Sequence, residues 1–373
     1  MNIFIKSVIN LIKYLNINNS KKEFVFYSES KFYREHFIDL IENLLLLNQK
    51  NIIFVTSDIE DYLFFKKKIN CIFIGNFFIL DLFFRILKCK FMIMTLTDLG
   101  SHLQKSKGCE KYIYFFHALA STHGIYTNTA FKNYDIILTN GEYQSKELIY
   151  AEKKFNFPKK EIINIGYFFL DYIKNKSNLL IEEKKHILFA PSWNYDKKNV
   201  FNDYGIKLIN ILLINDFKVT LRPHPEHFKR EREKIKNIIK KFSDNKNFNL
   251  DKNNSNLDSL ERSALVITDN STIVLEFLLI FKRPILYFDY NKKIHNTNRS
   301  KIPIQTFEDN FKNIFGNIIN AASLEKLPTF CKNLIDNKND IEMKVHEFNL
   351  KNLQNFGNSS KIAAQYLIKI KNS

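Results

Sequence analysis

Short apolar runs alternate with stretches of helical periodicity along this chain, and no other feature restricts its fold as much. EFVFYSES precedes the amphipathic YREHFIDLIENLLLLN, NIIFVTSD precedes EDYLFFKKK, and INCIFIG precedes the most apolar stretch, NFFILDLFFRILKCKFMIM. That stretch reads as a helix over about 77–88 followed by a strand over about 91–96, and its Phe-rich face is also suited to lipid. KYIYFFH, YDIILTN and EIINIGY are further strands, with a helix in YQSKELIYAEKKF. Strands that are apolar throughout and alternate with helices predict a parallel sheet covered on both faces.

The pattern then restarts. HILFAPS, KVTLRPH, ALVITDN and PILYFDY are strands, and helices are expected near residues 203–215, 228–242 and 271–281. Between the two sets lies the polar, charged DYIKNKSNLLIEEKK, which places a boundary between about 170 and 184. The expected organisation is two doubly wound α/β domains, 1–175 and 176–373, facing a central cleft. The second is expected to end in a helix over about 350–370, where Leu353, Phe356, Ile362, Ala363 and Leu367 recur at helical spacing. SDNKNFNLDKNNSN reads as a loop with one short strand. No tandem repeat of solenoid length is present.

Apolar residues make up 45% of the chain, enough for sizeable cores, and Lys plus Arg exceed Asp plus Glu by 17. Such a balance favours anionic partners. The lysines are spread and no recognition motif is present, so nucleic acid is not an expected partner. Cys71, Cys89, Cys109 and Cys331 form no CxxC pair, which argues against a disulfide framework or a zinc site and fits a reducing cytoplasm. The N-terminal stretch has no signal cleavage site and is too charged to span a membrane. On a helix, Ile5, Val8, Ile9, Ile12 and Leu15 make a stripe opposite Lys6 and Lys13. Two readings stand: a helix lying on an anionic membrane, or one packed on the protein's own core.

Chemistry-bearing residues collect where strands end, which is where ligands bind in such sheets. In KVTLRPHPEH, Arg222 and His224 follow the strand, between prolines that stiffen the loop. An arginine there can fork onto phosphate, and a histidine can donate to phosphate or move a proton. The alternative is that His224 only caps a helix. In ALVITDNSTIVLEF, Thr268 and Asp269 end a strand, and Asn270, Ser271 and Thr272 open a helix whose N-terminus suits an anion. Glu276, one turn on, can accept from ribose hydroxyls; the alternatives are an N-cap at Asp269 or Ser271 and a solvated Glu276. In YIYFFHALASTHGIY, His117 ends a strand and Ser121, His123 and Gly124 follow. His117 could take a proton from an acceptor hydroxyl, or be a satisfied core histidine. No GxGxxG follows the first strand, so a dinucleotide cofactor has no support.

The order of these pieces resembles the CDP-glycerol:poly(glycerophosphate) glycerophosphotransferases of teichoic-acid and capsule synthesis. The resemblance runs from about residue 110 to about 290 and rests on His117, Gly166-Tyr167, FAPSW (189–193), Arg222 to Pro225, Thr268 to Thr272 with Glu276, and KRPILYF (282–288). It implies a GT-B-like fold and transfer of glycerol phosphate from a CDP-linked donor to a hydroxyl of a polymer at the inner membrane face. It matches His117 and His224 to the family's two catalytic histidines. Ser271 and Thr272 match the hydroxyl pair at the donor phosphates, and Ser192, Arg222, Asp269, Asn270 and Glu276 fall beside them.

The sequence also departs from that pattern. The family's His-Gly pair stands here at His123-Gly124, not after His117, so either histidine could be the base. GYFFLD (166–171) lacks the family's arginine, and Glu276 stands where the family has Asp. No DxD motif is suitably placed, so neither metal nor cofactor is expected. The competing readings are a nucleotide-sugar glycosyltransferase or UDP-sugar 2-epimerase-like enzyme on the same fold, a basic nucleic-acid-binding protein, and a non-catalytic membrane scaffold.

Overall fold

Alternation within single strands shows how the first sheet is covered. Phe24 and Phe26 enter one hydrophobic cluster, and Val25 and Tyr27 enter another. Successive side chains point to opposite faces, so a strand buried at every position needs helices on both sides. The computed structural model describes residues 2–101, 103–177, 182–194, 198–253, 255–290, 296–338 and 340–373. Two compact units result: Met1–Asn175 with His295–Ile304 and Asn352–Ser373, and Lys176–Ile294 with Gln305–Lys351.

The first unit holds β1 (Phe24–Ser28), β2 (Ile52–Thr56), β3 (Asn70–Phe73), β4 (Cys89–Met94), β5 (Cys109–Phe115), β6 (Ile136–Thr139) and β7 (Glu161–Asn164). All pair in parallel, in the order β3-β2-β1-β4-β5-β6-β7. The second holds β8 (Glu183–Phe189), β9 (Lys218–Leu221), β10 (Phe248–Leu250), β11 (Ser263–Thr268), β12 (Ile285–Phe288) and β13 (Asn317–Ile319). They are again parallel, in the order β10-β9-β8-β11-β12-β13. In each sheet the order reverses once, between β1 and β4 and between β8 and β11. These are the switch points, outside whose carboxyl ends ligands bind.

Of the helices, α1 (Ile3–Leu15), α2 (Arg34–Leu46), α3 (Ile59–Phe65) and α4 (Phe77–Ile86) open the chain. α1 packs through Ser7, Asn10, Leu11 and Tyr14. Ser7 Oγ accepts from the N–H groups of Gly75 and Asn76 at 3.1 and 3.2 Å, and Tyr14 donates to the Lys88 carbonyl at 2.8 Å. The stripe of Ile5, Ile9, Ile12 and Leu15 is therefore on the outside, and only Val8 is part-buried against the core. α4, which packs on α1, exposes Phe77, Phe78, Leu82 and Ile86.

Two helical expectations are corrected. The segment near 228–242 is two helices, Pro225–Arg230 and Arg232–Phe242, broken at Glu231. The tail is also two, Ile341–Asn352 and Ser359–Asn372, because Asn355 and Gly357 take positive φ angles that no helix accommodates. The last helix was expected in the second domain but belongs to the first unit. Its Ala363, Ala364 and Leu367 lie in the cluster of Phe37, Leu40 and Leu44 on α2. Periodicity shows that a helix has an apolar face, not which surface that face covers.

Asp171 fastens the return. Its carboxylate accepts from the N–H groups of Gly357 at 2.8 Å and Ser360 at 3.1 Å, and from Ser359 Oγ at 3.3 Å. Gly166 makes room for it, since a Cβ there would lie 2.2 Å from the Gln354 carbonyl oxygen. Asp171→Ala leaves these buried donors unpaired and is expected to cost about 1–3 kcal/mol. Chemical denaturation measures the loss, and hydrogen exchange should rise first in residues 359–372.

Candidate functional site

The switch point of the second sheet is braced across its two central strands. Beyond β8, Ser192 donates its backbone N–H to Asp269 Oδ1 at 2.7 Å and its hydroxyl to Oδ2 at 2.8 Å. Beyond β11, Thr268 Oγ1 donates to the Ala190 carbonyl at 2.7 Å. Ser192 and Asp269 thus lock the two loops together. Asp269 neither caps the following helix nor faces solvent. That helix, Ile273–Phe281, has Thr272 at its N-cap. Ser271 donates its N–H to Thr268 Oγ1 at 3.2 Å, and its own Oγ accepts from Ile273 N–H at 3.4 Å. Asn270, Ser271 and Thr272 remain half-exposed at the positive end of the helix dipole, which is a place for phosphate oxygens. Glu276 is buried at 8% exposure, so a solvated role on the helix surface is excluded.

Arg222 follows the end of β9 and has partners within its own unit. Its guanidinium is bonded to Asp251 at 2.5 Å and to the Ser255 carbonyl at 3.1 Å. The parallel pairing of Leu221 with Leu250 puts Asp251 next to Arg222 at the strand ends. Asp251, almost fully buried, also accepts from Ser259 Oγ. Sequence reasoning missed this acid, although an Asp directly after the short strand in NFNLD was a legible signal.

His224 does cap a helix: its Nδ1 accepts from Glu226 N–H at 3.2 Å. The cap does not exclude chemistry. A ring that accepts at Nδ1 carries its proton on Nε2, where it can donate to an anion. The exposed ring stacks on Trp193, with centroids 6.4 Å apart, and Arg230 lies 5.5 Å over the same indole. Trp193 thereby joins the β8 loop to the β9 loop.

In the first unit, His117 follows β5 at the switch-point side of the sheet. It is half-buried and hydrogen-bonds the Thr95 backbone beyond β4, and its Nδ1 has no partner among the described residues. Tyr33 and Tyr126 pack edge-on against it, with centroids 5.0 and 6.4 Å away. Tyr167 donates to its carbonyl at 3.0 Å, so the Gly166-Tyr167 pair serves both the returning chain and the histidine. Burial pushes the His117 imidazole down from 6.5 to about 4, the Thr95 bond offsetting part of the shift. A second imidazole, His36 on α2, lies behind it at 6.2 Å and is also held well below its ordinary value by burial and by His117. Nothing in YREHF distinguished His36 from a surface residue, and it was missed.

His123 has another setting. It is buried, its Nε2 lies 2.9 Å from the Ile304 carbonyl, and its Nδ1 lies 3.5 Å from Glu147 Oε1. A carbonyl only accepts, so Nε2 carries a proton. Glu147 also accepts from Thr122 N–H at 2.6 Å and Thr122 Oγ1 at 2.8 Å. Asn296 donates to the His123 carbonyl at 3.0 Å. His123 therefore fastens the 296–304 segment, and Ser121 beside it is fully buried. Among the described residues, no cluster of His, Cys, Asp and Glu is arranged to hold a metal ion.

The family model described as CDP-Glycerol:Poly(glycerophosphate) glycerophosphotransferase matches residues 80–363. No curated protein matches the sequence. Among solved structures, the chain is similar to the wall teichoic acid polymerase TagF, at 17% identity and TM-score 0.64, over 100% of this chain and 98% of that one. It is also similar to a putative UDP-N-acetylglucosamine 2-epimerase from Listeria monocytogenes, at 13% identity and TM-score 0.58, over 94% of this chain and 97% of that one. A glycosyltransferase from Rickettsia africae matches at 10% identity and TM-score 0.52, over 94% and 98%. At these identities the structures speak to the fold, which is GT-B-like.

Removing Arg222 strands a buried carboxylate. Arg222→Ala is expected to cost about 3–5 kcal/mol of stability. The double variant Arg222→Ala/Asp251→Ala should recover part of that loss. Denaturant unfolding of the three proteins checks both statements.

Proposed function

Because the chain belongs to the CDP-glycerol:poly(glycerophosphate) glycerophosphotransferase family, we propose that it transfers glycerol phosphate, or a similar polyol phosphate, from a CDP-linked donor to a hydroxyl of a growing cell-surface polymer. The family match over 80–363 carries this reading. The second unit holds the donor. Its diphosphate lies at the first turn of Ile273–Phe281, with the hydroxyls of Ser271 and Thr272 and the Nε2–H of His224 as donors. Ser192 and Asp269 shape that site rather than touch phosphate, and Glu276 is the carboxylate assigned to the ribose hydroxyls.

The first unit acts on the acceptor. Its hydroxyl oxygen attacks the phosphorus that bears glycerol, the bond from that phosphorus to the bridging oxygen breaks, and CMP leaves. The hydroxyl proton passes to the His117 imidazole. A base of this kind contributes on the order of 10²–10⁴-fold. Stabilising charge on the departing CMP falls to His224 and the helix N-terminus. His117 is favoured over His123 because it is half-buried at the switch-point side of its sheet, whereas His123 is buried and engaged with Glu147 and Ile304 within the fold.

The test is nucleotide release from CDP-glycerol with a synthetic glycerol phosphate oligomer as acceptor. CMP formation that depends on the acceptor supports the reading. Consumption of UDP-N-acetylglucosamine with CDP-glycerol untouched overturns it in favour of the nucleotide-sugar alternative. The base must be unprotonated, and the His117 imidazole gains its proton only near pH 4. The acid limb of kcat/KM assigned to His117 is therefore expected near pH 4, not near the ordinary histidine value of about 6.5. His117→Ala should abolish most turnover. A limb at 6.5 would assign the base elsewhere.

The same reading places the protein on the inner face of the membrane. No helix among the described residues is long and apolar enough to cross a membrane. Instead α1 and α4 together expose an apolar surface, with Phe77 60% and Phe78 78% accessible, on a chain whose formal net charge is +17. We assign this surface to an anionic bilayer, with apolar insertion and electrostatic attraction acting together. Deleting α1 is a poor test, since Leu11 and Tyr14 belong to the core. The triple variant Ile5→Glu/Ile9→Glu/Phe78→Glu keeps that face intact. Each inserted side chain is worth about 1.5–3 kcal/mol, so binding to phosphatidylglycerol vesicles should fall at least ~10-fold while turnover of a soluble acceptor persists. Co-sedimentation measures it, and unchanged binding would move the contact elsewhere.

A further inference from the structure

Glu29 is the first residue beyond β1, and β1 is one of the two strands that flank the switch point of the first sheet. The other is β4. Beyond its end, Thr95 bonds His117 and the Leu96 carbonyl accepts from the Tyr134 hydroxyl. Both rims of this crevice register Glu29. Burial, and after it the charge of Glu29, push up the phenols of Tyr33 and Tyr134. Tyr33 is the ring packed edge-on against His117. Glu29 leaves the end of β1 and His117 the end of β5, one on either side of β4, and Tyr33, four residues after Glu29, packs against the His117 ring.

The neighbouring acids are all engaged. Asp58 caps α3 through Glu60 N–H at 2.8 Å and accepts from Lys31 N–H at 3.2 Å. Glu60 pairs with Lys31 at 2.6 Å, and Asp61 pairs with Arg34 at 2.6 Å. Glu29 has no hydrogen bond or ion pair among the described residues, although it stands on a chain rich in lysine. Its side chain is accessible to a ligand, yet enough protein surrounds the carboxyl to hold it above its ordinary value. A partly desolvated carboxylate without a partner is a cost to the folded protein that a ligand's donors would remove.

We propose that Glu29 is a specificity-determining residue for the acceptor, accepting a hydrogen bond from the hydroxyl adjacent to the one that His117 deprotonates. This rests on the transferase reading above and narrows it. A carboxylate repels phosphate and accepts from hydroxyls, so the acceptor end presented here is an uncharged vicinal diol. The reacting oxygen lies on one carbon, and the hydroxyl on the next carbon is held by Glu29.

The experiment compares two synthetic oligomers, one ending in glycerol and one ending in propane-1,3-diol, with wild-type protein, Glu29→Gln and Glu29→Ala. For wild type, loss of the adjacent hydroxyl should lower kcat/KM on the order of 10- to 100-fold, the usual weight of a hydrogen bond to a charged group. In both variants the two acceptors should become equivalent, with KM for CDP-glycerol unchanged and the melting temperature not lowered. Variants that still discriminate as wild type does, or a wild type that does not discriminate, overturn the role of Glu29. If wild type turns over neither acceptor with CDP-glycerol, the transferase reading fails, and this role fails with it.

Discussion

The hydrogen-bonded ladders between β1 and β4 and between β8 and β11 are what the rest of this protein depends on. Each joins two strands that are neighbours in the sheet but far apart in the chain. At each, the loops leaving the sheet diverge to opposite sides, and a crevice opens between them. Much of the candidate chemistry gathers at those two places. The Ser192–Asp269 brace, Thr268 and the helix opening at Ile273 stand at one. Glu29, Thr95 and His117 stand around the other.

The strands were legible because burial on both faces leaves a continuous apolar run, and a run of that kind has few other solutions. Their carboxyl ends were legible for the same reason, which is why His117, His224 and the 268–272 stretch could be singled out. Partners were not legible. Arg222 and Asp251 are 29 residues apart and meet only through the pairing of β9 with β10. His117 and His123 differ little in sequence setting, but one is half-buried beyond β5 and the other is buried with both nitrogens pointing at oxygens of its own fold. That difference is made by Glu147 and Ile304, neither of which local sequence could nominate.

The charged and polar residues divide along the same line. Those that sequence reasoning read as phosphate ligands include two, Arg222 and Asp269, whose side chains hold loops in place. A motif therefore mixes residues that touch a ligand with residues that shape the loops around it. His224 does both kinds of work, since the hydrogen bond that caps a helix at Nδ1 also settles where its remaining proton resides.

The helix Ser359–Asn372 is bound to the first unit by Asp171, Ala363 and Leu367, although the whole of the second unit lies between it and the rest of that layer in the chain. During synthesis, the β1–β7 sheet emerges early and waits with the Phe37 and Leu44 face of α2 uncovered. The second unit can finish first, because all its residues precede 352. The unit begun first is thus the last to close, and for that interval its bare α2 face is the surface on which a chaperone or an unwanted neighbour would settle.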